Sequence, residues 1–222
     1  MRTAFQQNLK KLQDELFSMS GLVTESIDRS VKALKEKDIE TAEQIRKDDI
    51  HINNLRWEIE EKCIQLMATQ QPVATDLREI IAVLNIIAEL ERIGDYAEGI
   101  AKIVIKLGDQ PPVKPYIDIP RMTELATGMI CRSLEAYAAR DAESAYRITD
   151  EDDKIDELYH QILRELISIM IENPKTITTC THLIWVAHNL ERIGDRVTNI
   201  CERIIFLVTG EIVENTDKRE DA

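Results

Sequence analysis

A chain of 222 residues with only seven glycines and six prolines, rich in Ala, Leu, Ile, Glu, Lys and Arg, favours long helices over a turn-rich β fold. Its formal net charge of −13 argues against a partner with a phosphate backbone, which proteins engage through clustered Lys and Arg. The start carries no apolar signal core, and the longest strongly apolar stretch, Ile80 to Ala88, is broken by Asn85 and too short to span a bilayer. A cytoplasmic protein without nucleic acid or membrane insertion is therefore expected. Cys63, Cys131, Cys180 and Cys201 lie far apart with no CxxC spacing, which suits reduced thiols rather than a zinc knot or redox pair.

In chain order, the punctuation predicts helices over about 3–36, 38–69 and 75–107, then about 121–139, 141–172 and 177–208. Asp38 and Asp141 are placed to N-cap the middle helix of each trio, and Gly108 and Gly210 to end the last. Pro72 and Pro174 fall between the second and third helices of each trio, where a missing donor ends a helix. The other four prolines, at 111, 112, 115 and 120, crowd the junction of the two trios.

The trios are copies. LERIGD at Leu90–Asp95 recurs at Leu190–Asp195, displaced by 100 residues, and RSVKALKEKDIETAEQI from Arg29 matches RSLEAYAARDAESAYRI from Arg132 at 103. Short turns between rods of thirty residues, each roughly 45 Å long, force antiparallel neighbours. The expected fold is all-α: two tandem, internally duplicated three-helix bundles over 1–110 and 121–210, a proline-rich linker at 111–120, and an acidic tail at 211–222. The third helix carries a line through Ile86, Leu90, Ile93, Ala97, Ile100, Val104 and Leu107, which the sixth repeats from Val186 to Leu207.

Each ERIGD segment sets two carboxylates at i and i+4: Glu91 with Asp95, and Glu191 with Asp195. Like charges one turn apart cost a few tenths of a kcal/mol, so the repetition asks for compensation. A second set lies on the preceding helix, Asp152 with Asp156 and, in the first half, Asp49 with Asn53. Each set is as far from its hairpin turn as the ERIGD pair it belongs with, so the two stand side by side. A shorter apolar line, Leu77, Ile80, Leu84 and Ile87, runs onto Glu91 and Asp95, which places them beside a neighbouring helix. Converging carboxylates suit hard ions such as Fe³⁺, Mn²⁺, Mg²⁺ or Ca²⁺. The competing reading is an ion-pair network in which Arg92 and Arg192 neutralise the acids. Gly94 and Gly194 interrupt helix interiors, as a close approach or plain packing would explain.

Only Glu157 to His160 fits the ExxH element of a ferritin-like di-iron site, and His188 lies at the level of His160; both read as surface or packing residues. No phosphate loop, GxSxG, HExxH or Cys/His nucleophile is present, so nothing supports an enzyme.

LERIGDYAEGIAK, LERIGDRVTNICE and QPVATDLREI resemble the PhoU family of phosphate-transport accessory proteins, over nearly the whole chain. The resemblance implies a multinuclear metal cluster on each bundle, iron first, with manganese, magnesium, calcium or zinc as alternatives. Its ligands would be Asp49, Asn53, Glu91 and Asp95 in one half and Asp152, Asp156, Glu191 and Asp195 in the other. It further implies a non-catalytic negative regulator of the phosphate-starvation response, a homodimer or higher oligomer. Its partners would be the phosphate ABC transporter ATPase and a membrane sensor histidine kinase. Asn53 departs from the acidic pattern, and Gly99 stands where the motif commonly has Asn, as Asn199 does; the first-half site is expected to be the weaker. Against this stand a helical scaffold without metal and, further off, a carboxylate-bridged metalloenzyme.

Overall fold

The computed structural model describes residues 2–213; the rest of the acidic tail expected at 211–222 lies outside the described residues. Six long helices run α1 (Arg2–Glu36), α2 (Ile39–Gln70), α3 (Thr75–Leu107), α4 (Asp118–Ala139), α5 (Ala142–Glu172) and α6 (Ile177–Thr209). Among the described residues there is no strand, and no helix is long and apolar enough to cross a membrane.

The helix ends follow local chemistry. Asp38 accepts from the backbone N–H of Thr41 at 2.9 Å, and Asp141 from that of Ser144 at 3.0 Å. Such caps contribute about 1 kcal/mol each. Immediately before them Lys37 and Arg140 adopt the left-handed conformation, φ 58° and 53°. The next N–H then reaches back to Ala33 in one repeat and Ala136 in the other, both at 2.9 Å. The duplication therefore extends to the backbone of the turns. Gly108 and Gly210 both end their helices, donating to Val104 and Phe206.

One boundary differs from the expectation. α4 starts at Asp118 rather than about 121 and takes Pro120 into its first turn. A first-turn N–H has no intrahelical partner, so proline loses nothing there, and the connection shortens to residues 108–117.

Helices α1, α2 and α3 pack together, as do α4, α5 and α6, giving two three-helix bundles. They share one core, because α3 lies along α6 and α1 against α4. Glu89 accepts from Asn199 at 3.2 Å, and a Cβ at Gly99 would meet Asn189 at 3.1 Å, so α3 and α6 run antiparallel with Gly94 and Gly194 at one level. This explains the two apolar lines of α3: it has neighbours in its own bundle and in the other.

A polar clasp also crosses between repeats. Glu79 of α3, 2% exposed, receives Gln13 of α1 at 2.5 Å and the guanidinium of Arg140 at the end of α4. A buried carboxylate is tolerable only with such partners.

Candidate functional site

Along each hairpin the sets predicted to be level are level. In the first half, a Cβ on Gly94 would lie 3.3 Å from two carbons of Ile52 and 3.6 Å from Asp49 Oδ1. In the second, a Cβ on Gly194 would lie 2.2 Å from Asp152 Oδ1 and 3.2 Å from Ile155. Each glycine thus lets the helix with the ERIGD motif approach the acidic stretch of its neighbour, and the close-approach reading is the correct one. Nothing larger than hydrogen fits beside Asp152 without displacing it.

The acids feel one another. Burial pushes Asp49 up to about 6, and the charges of Asp95 and Glu98 push in the same direction. Burial and then Asp95 raise Glu91; partial burial and then Glu98 raise Asp95. In the second half burial takes Glu191 up to about 7, with Asp195, Asp156 and Asp152 adding to it against the opposing Arg192. Carboxyls held above their ordinary range despite the opposing charges of Arg56, Arg92, Lys102 and Arg192 are the electrostatic signature of a site that favours added positive charge.

The two arginines of the duplicated motif behave differently. Arg92 turns to Glu89 at 3.2 Å and forms no ion pair with Glu91 or Asp95. Position 189 is Asn, so Arg192 lacks that partner and pairs with Asp195 at 2.6 Å, also donating to the Tyr96 hydroxyl of α3. The neutralising-arginine reading therefore takes the form of a direct ion pair for one acid of the second half, whereas in the first Arg56 and Arg92 act on Glu91 through their charge alone. Glu89 also takes Arg196 at 3.4 Å and Asn199, joining the two bundles beside both sites.

Asn53 donates its amide to Asp49 Oδ2 at 2.9 Å. That leaves Asp49 Oδ1 and Asn53 Oδ1 buried without a hydrogen bond from the described residues. Such orphaned oxygens normally cost 1–3 kcal/mol each, roughly, and call for a donor or a cation.

Glu98 was missed by reading ExxxD alone. It sits three residues after Asp95, with its side chain 18% exposed, and its repeat equivalent is Thr198. It returns to the first half the fourth carboxylate that Asn53 withholds, although Lys102 binds it at 2.6 Å. Extending the pattern by one more turn would have found it.

The histidines divide. His188 Nδ1 lies 3.3 Å from Glu191 Oε2 and its ring is 5.5 Å from Trp185 and 6.1 Å from Tyr159. His160 is exposed, its ring 5.5 Å from that of Tyr159 and tilted 49° to it. Cys63, Cys180 and Cys201 are buried free thiols, and Cys131 is exposed.

The donor chemistry fits a hard cation: carboxylate and amide oxygens, two of them orphaned, with raised carboxyls. The arrangement is not preassembled, since among the described residues no three His, Cys, Asp or Glu groups converge closely enough to hold an ion. In the second half Arg192 would have to release Asp195.

Comparison with known proteins gives the same duplication. The PhoU domain model matches twice, over residues 16–104 and 119–204. The chain is 39% identical to a phosphate-specific transport system accessory protein PhoU homolog of Aquifex aeolicus, covering 96% of this chain and 97% of that one. It is 39% identical to the homolog of Clostridium acetobutylicum, covering 97% and 99%. The crystal structure of PhoU from Pseudomonas aeruginosa superposes with a TM-score of 0.88 at 35% identity, over 93% of this chain and all of that one. The phosphate transport system regulatory protein PhoU of Streptococcus pneumoniae gives 0.89 at 33% identity, over 95% and 99%. With two domain matches, full-length relatives and the same helical architecture, this chain belongs to the PhoU family.

Proposed function

We propose that this protein regulates phosphate uptake and the phosphate-starvation response without bond chemistry of its own, as a cytoplasmic adaptor that restrains the phosphate regulon. The names carried by its relatives, accessory and regulatory proteins of phosphate transport, support the role. Its partners are the phosphate ABC transporter's ATPase and the sensor histidine kinase, met at the inner face of the membrane, and copies associate as a dimer or higher oligomer.

The observation that carries the site reading is the pair of raised acidic clusters, one in each hairpin, backed by the orphaned oxygens of Asp49 and Asn53. Asp49, Asn53, Glu91 and Asp95 hold metal in the first half, with Glu98 able to supply the missing charge; Asp152, Asp156, Glu191 and Asp195 hold it in the second. Iron leads among hard ions. The metal's chemistry here is charge: it neutralises acids that otherwise repel, and so fixes α2 against α3 and α5 against α6. The partners then read a stiffened surface.

Deleting the gene tests the role. Phosphate-scavenging genes should stay on in phosphate-rich medium, and reintroducing the wild-type gene should shut them off. Normal repression in the deletion strain, with no second copy of the family present, would refute the regulatory assignment.

A further inference from the structure

The two hairpins differ in what stands beside the glutamate of the motif. In the first half Arg56 of α2 acts on Glu91 through its charge, and the residue three before Glu91 is Ala88. In the second half the position equivalent to Arg56 is Tyr159, and the position equivalent to Ala88 is His188. A fixed cation and a methyl group are thus replaced by a phenol and an imidazole next to the same carboxylate.

His188 brings its ring to the acids. Its Nδ1 lies 3.3 Å from Glu191 Oε2. That oxygen is buried and accepts no hydrogen bond from the described residues, so the contact is not an ordinary hydrogen-bonded His–Glu pair. Trp185, edge-on with its ring 5.5 Å away, and Tyr159, at 6.1 Å, flank the imidazole and limit its rotation. At about 100° per residue, positions 188, 191 and 195 fall within roughly 60° of one another, so His188 shares its helix face with both acids of the motif.

We propose that His188 is a nitrogen ligand of the second-half metal site, which therefore takes a borderline divalent ion, Zn²⁺ or ferrous iron, while the oxygen-only first-half site takes hard ions. The inference rests on the cation-site reading given above. Bonds of about 2.0–2.1 Å from a tetrahedral or octahedral ion set neighbouring nitrogen and oxygen donors roughly 2.8–3.4 Å apart. Nδ1 and Oε2 already stand at such a separation. Imidazole suits zinc, iron and nickel, whereas carboxylate and carbonyl oxygens suit magnesium, calcium and manganese. In the first half the donors are carboxylates and the Asn53 amide, and the cation of Arg56 occupies the flank from which His188 and Tyr159 meet Glu191.

The full chain carries four histidines, His51, His160, His182 and His188, few enough to follow singly by the ¹⁵N shifts of their imidazoles. Loss of one set of signals in His188→Gln assigns that residue. Zn²⁺ added to chelator-treated protein should move Nδ1 of His188 into the metal-bound range and leave the other three rings in place. With the first-half acids removed by Glu91→Ala and Asp95→Ala, calorimetry should show His188→Gln weakening Zn²⁺ binding about tenfold or more and Mn²⁺ binding less than about threefold. Far-UV circular dichroism and Tm of metal-free His188→Gln should match wild type, since His188 is partly exposed, and the shifts on Zn²⁺ addition are read on the unmutated chain. Zn²⁺ that binds while the His188 nitrogens stay put, or that moves another histidine instead, overturns the nitrogen ligand and leaves the cation sites standing. Equal losses for Zn²⁺ and Mn²⁺ overturn the sorting of metals. A chain that takes up neither ion overturns the cation-site reading and this inference with it.

Discussion

Gly94 and Gly194 occupy the same motif, yet replacing each by alanine should shift stability in different directions. Both changes gain about 1 kcal/mol of helix propensity. At Gly94 the new methyl meets Ile52 at 3.3 Å, a contact that a few tenths of an ångström of movement relieves. The net effect of Gly94→Ala should lie between no change and about 1 kcal/mol of stabilisation. At Gly194 the methyl would lie 2.2 Å from Asp152 Oδ1, on a side chain that is 1% exposed and has nowhere open to go. Overpacking of this kind costs about 1–3 kcal/mol, and the propensity gain recovers only part of it. Gly194→Ala should therefore melt lower than Gly94→Ala by about 2 kcal/mol, which for a chain of this size is roughly 4–8 °C in Tm. Thermal unfolding of chelator-treated protein, followed by circular dichroism, reads this directly. Equal melting temperatures, or a more stable Gly194→Ala, would refute the claim that the second hairpin is closed down on Asp152.

Arg140→Ala strips the buried Glu79 of its cation and should cost about 3 kcal/mol, measured as a lower urea midpoint; adding Glu79→Gln should recover part of that loss. Glu191 keeps a proton in the fold up to about pH 7, whereas the unfolded chain releases it near 4.5. Its contribution should therefore make the metal-free protein lose stability as pH rises between those values and level off above, and Glu191→Gln should flatten that part of the profile. Asn53→Asp replaces a hydrogen bond to Asp49 by repulsion, so it should destabilise the metal-free protein while tightening Mn²⁺ binding in calorimetry. Glu98→Gln should weaken first-half binding and leave the second-half binding step unchanged.

Helix limits were legible because their signals are local. Asp38, Asp141, Gly108 and Gly210 act on backbone groups within five residues of themselves, and the prolines forbid continuation where they stand. The levels of the acidic sets were legible for a related reason: equal distance from a turn fixes neighbours in an antiparallel hairpin. Pairing between repeats was not legible. Glu79 reads as one more surface acid until Arg140, 61 residues away, is seen on it. The packing of α3 along α6 depends on Glu89, Asn189, Gly99 and Asn199, whose spacings within either helix advertise nothing. The divergence of Arg92 from Arg192 lay in plain view, in Glu89 against Asn189, but its meaning required knowing that an arginine with a partner one turn back forms no ion pair with the acids beyond it.

The central claim, that the two hairpin clusters are cation sites, is tested most directly by elemental analysis of protein purified without chelator. The account predicts bound iron or another hard metal at more than one ion per chain, with the second-half share lost in Glu191→Ala combined with Asp195→Ala. Metal far below one ion per chain, or a content unchanged in that double variant, would contradict it.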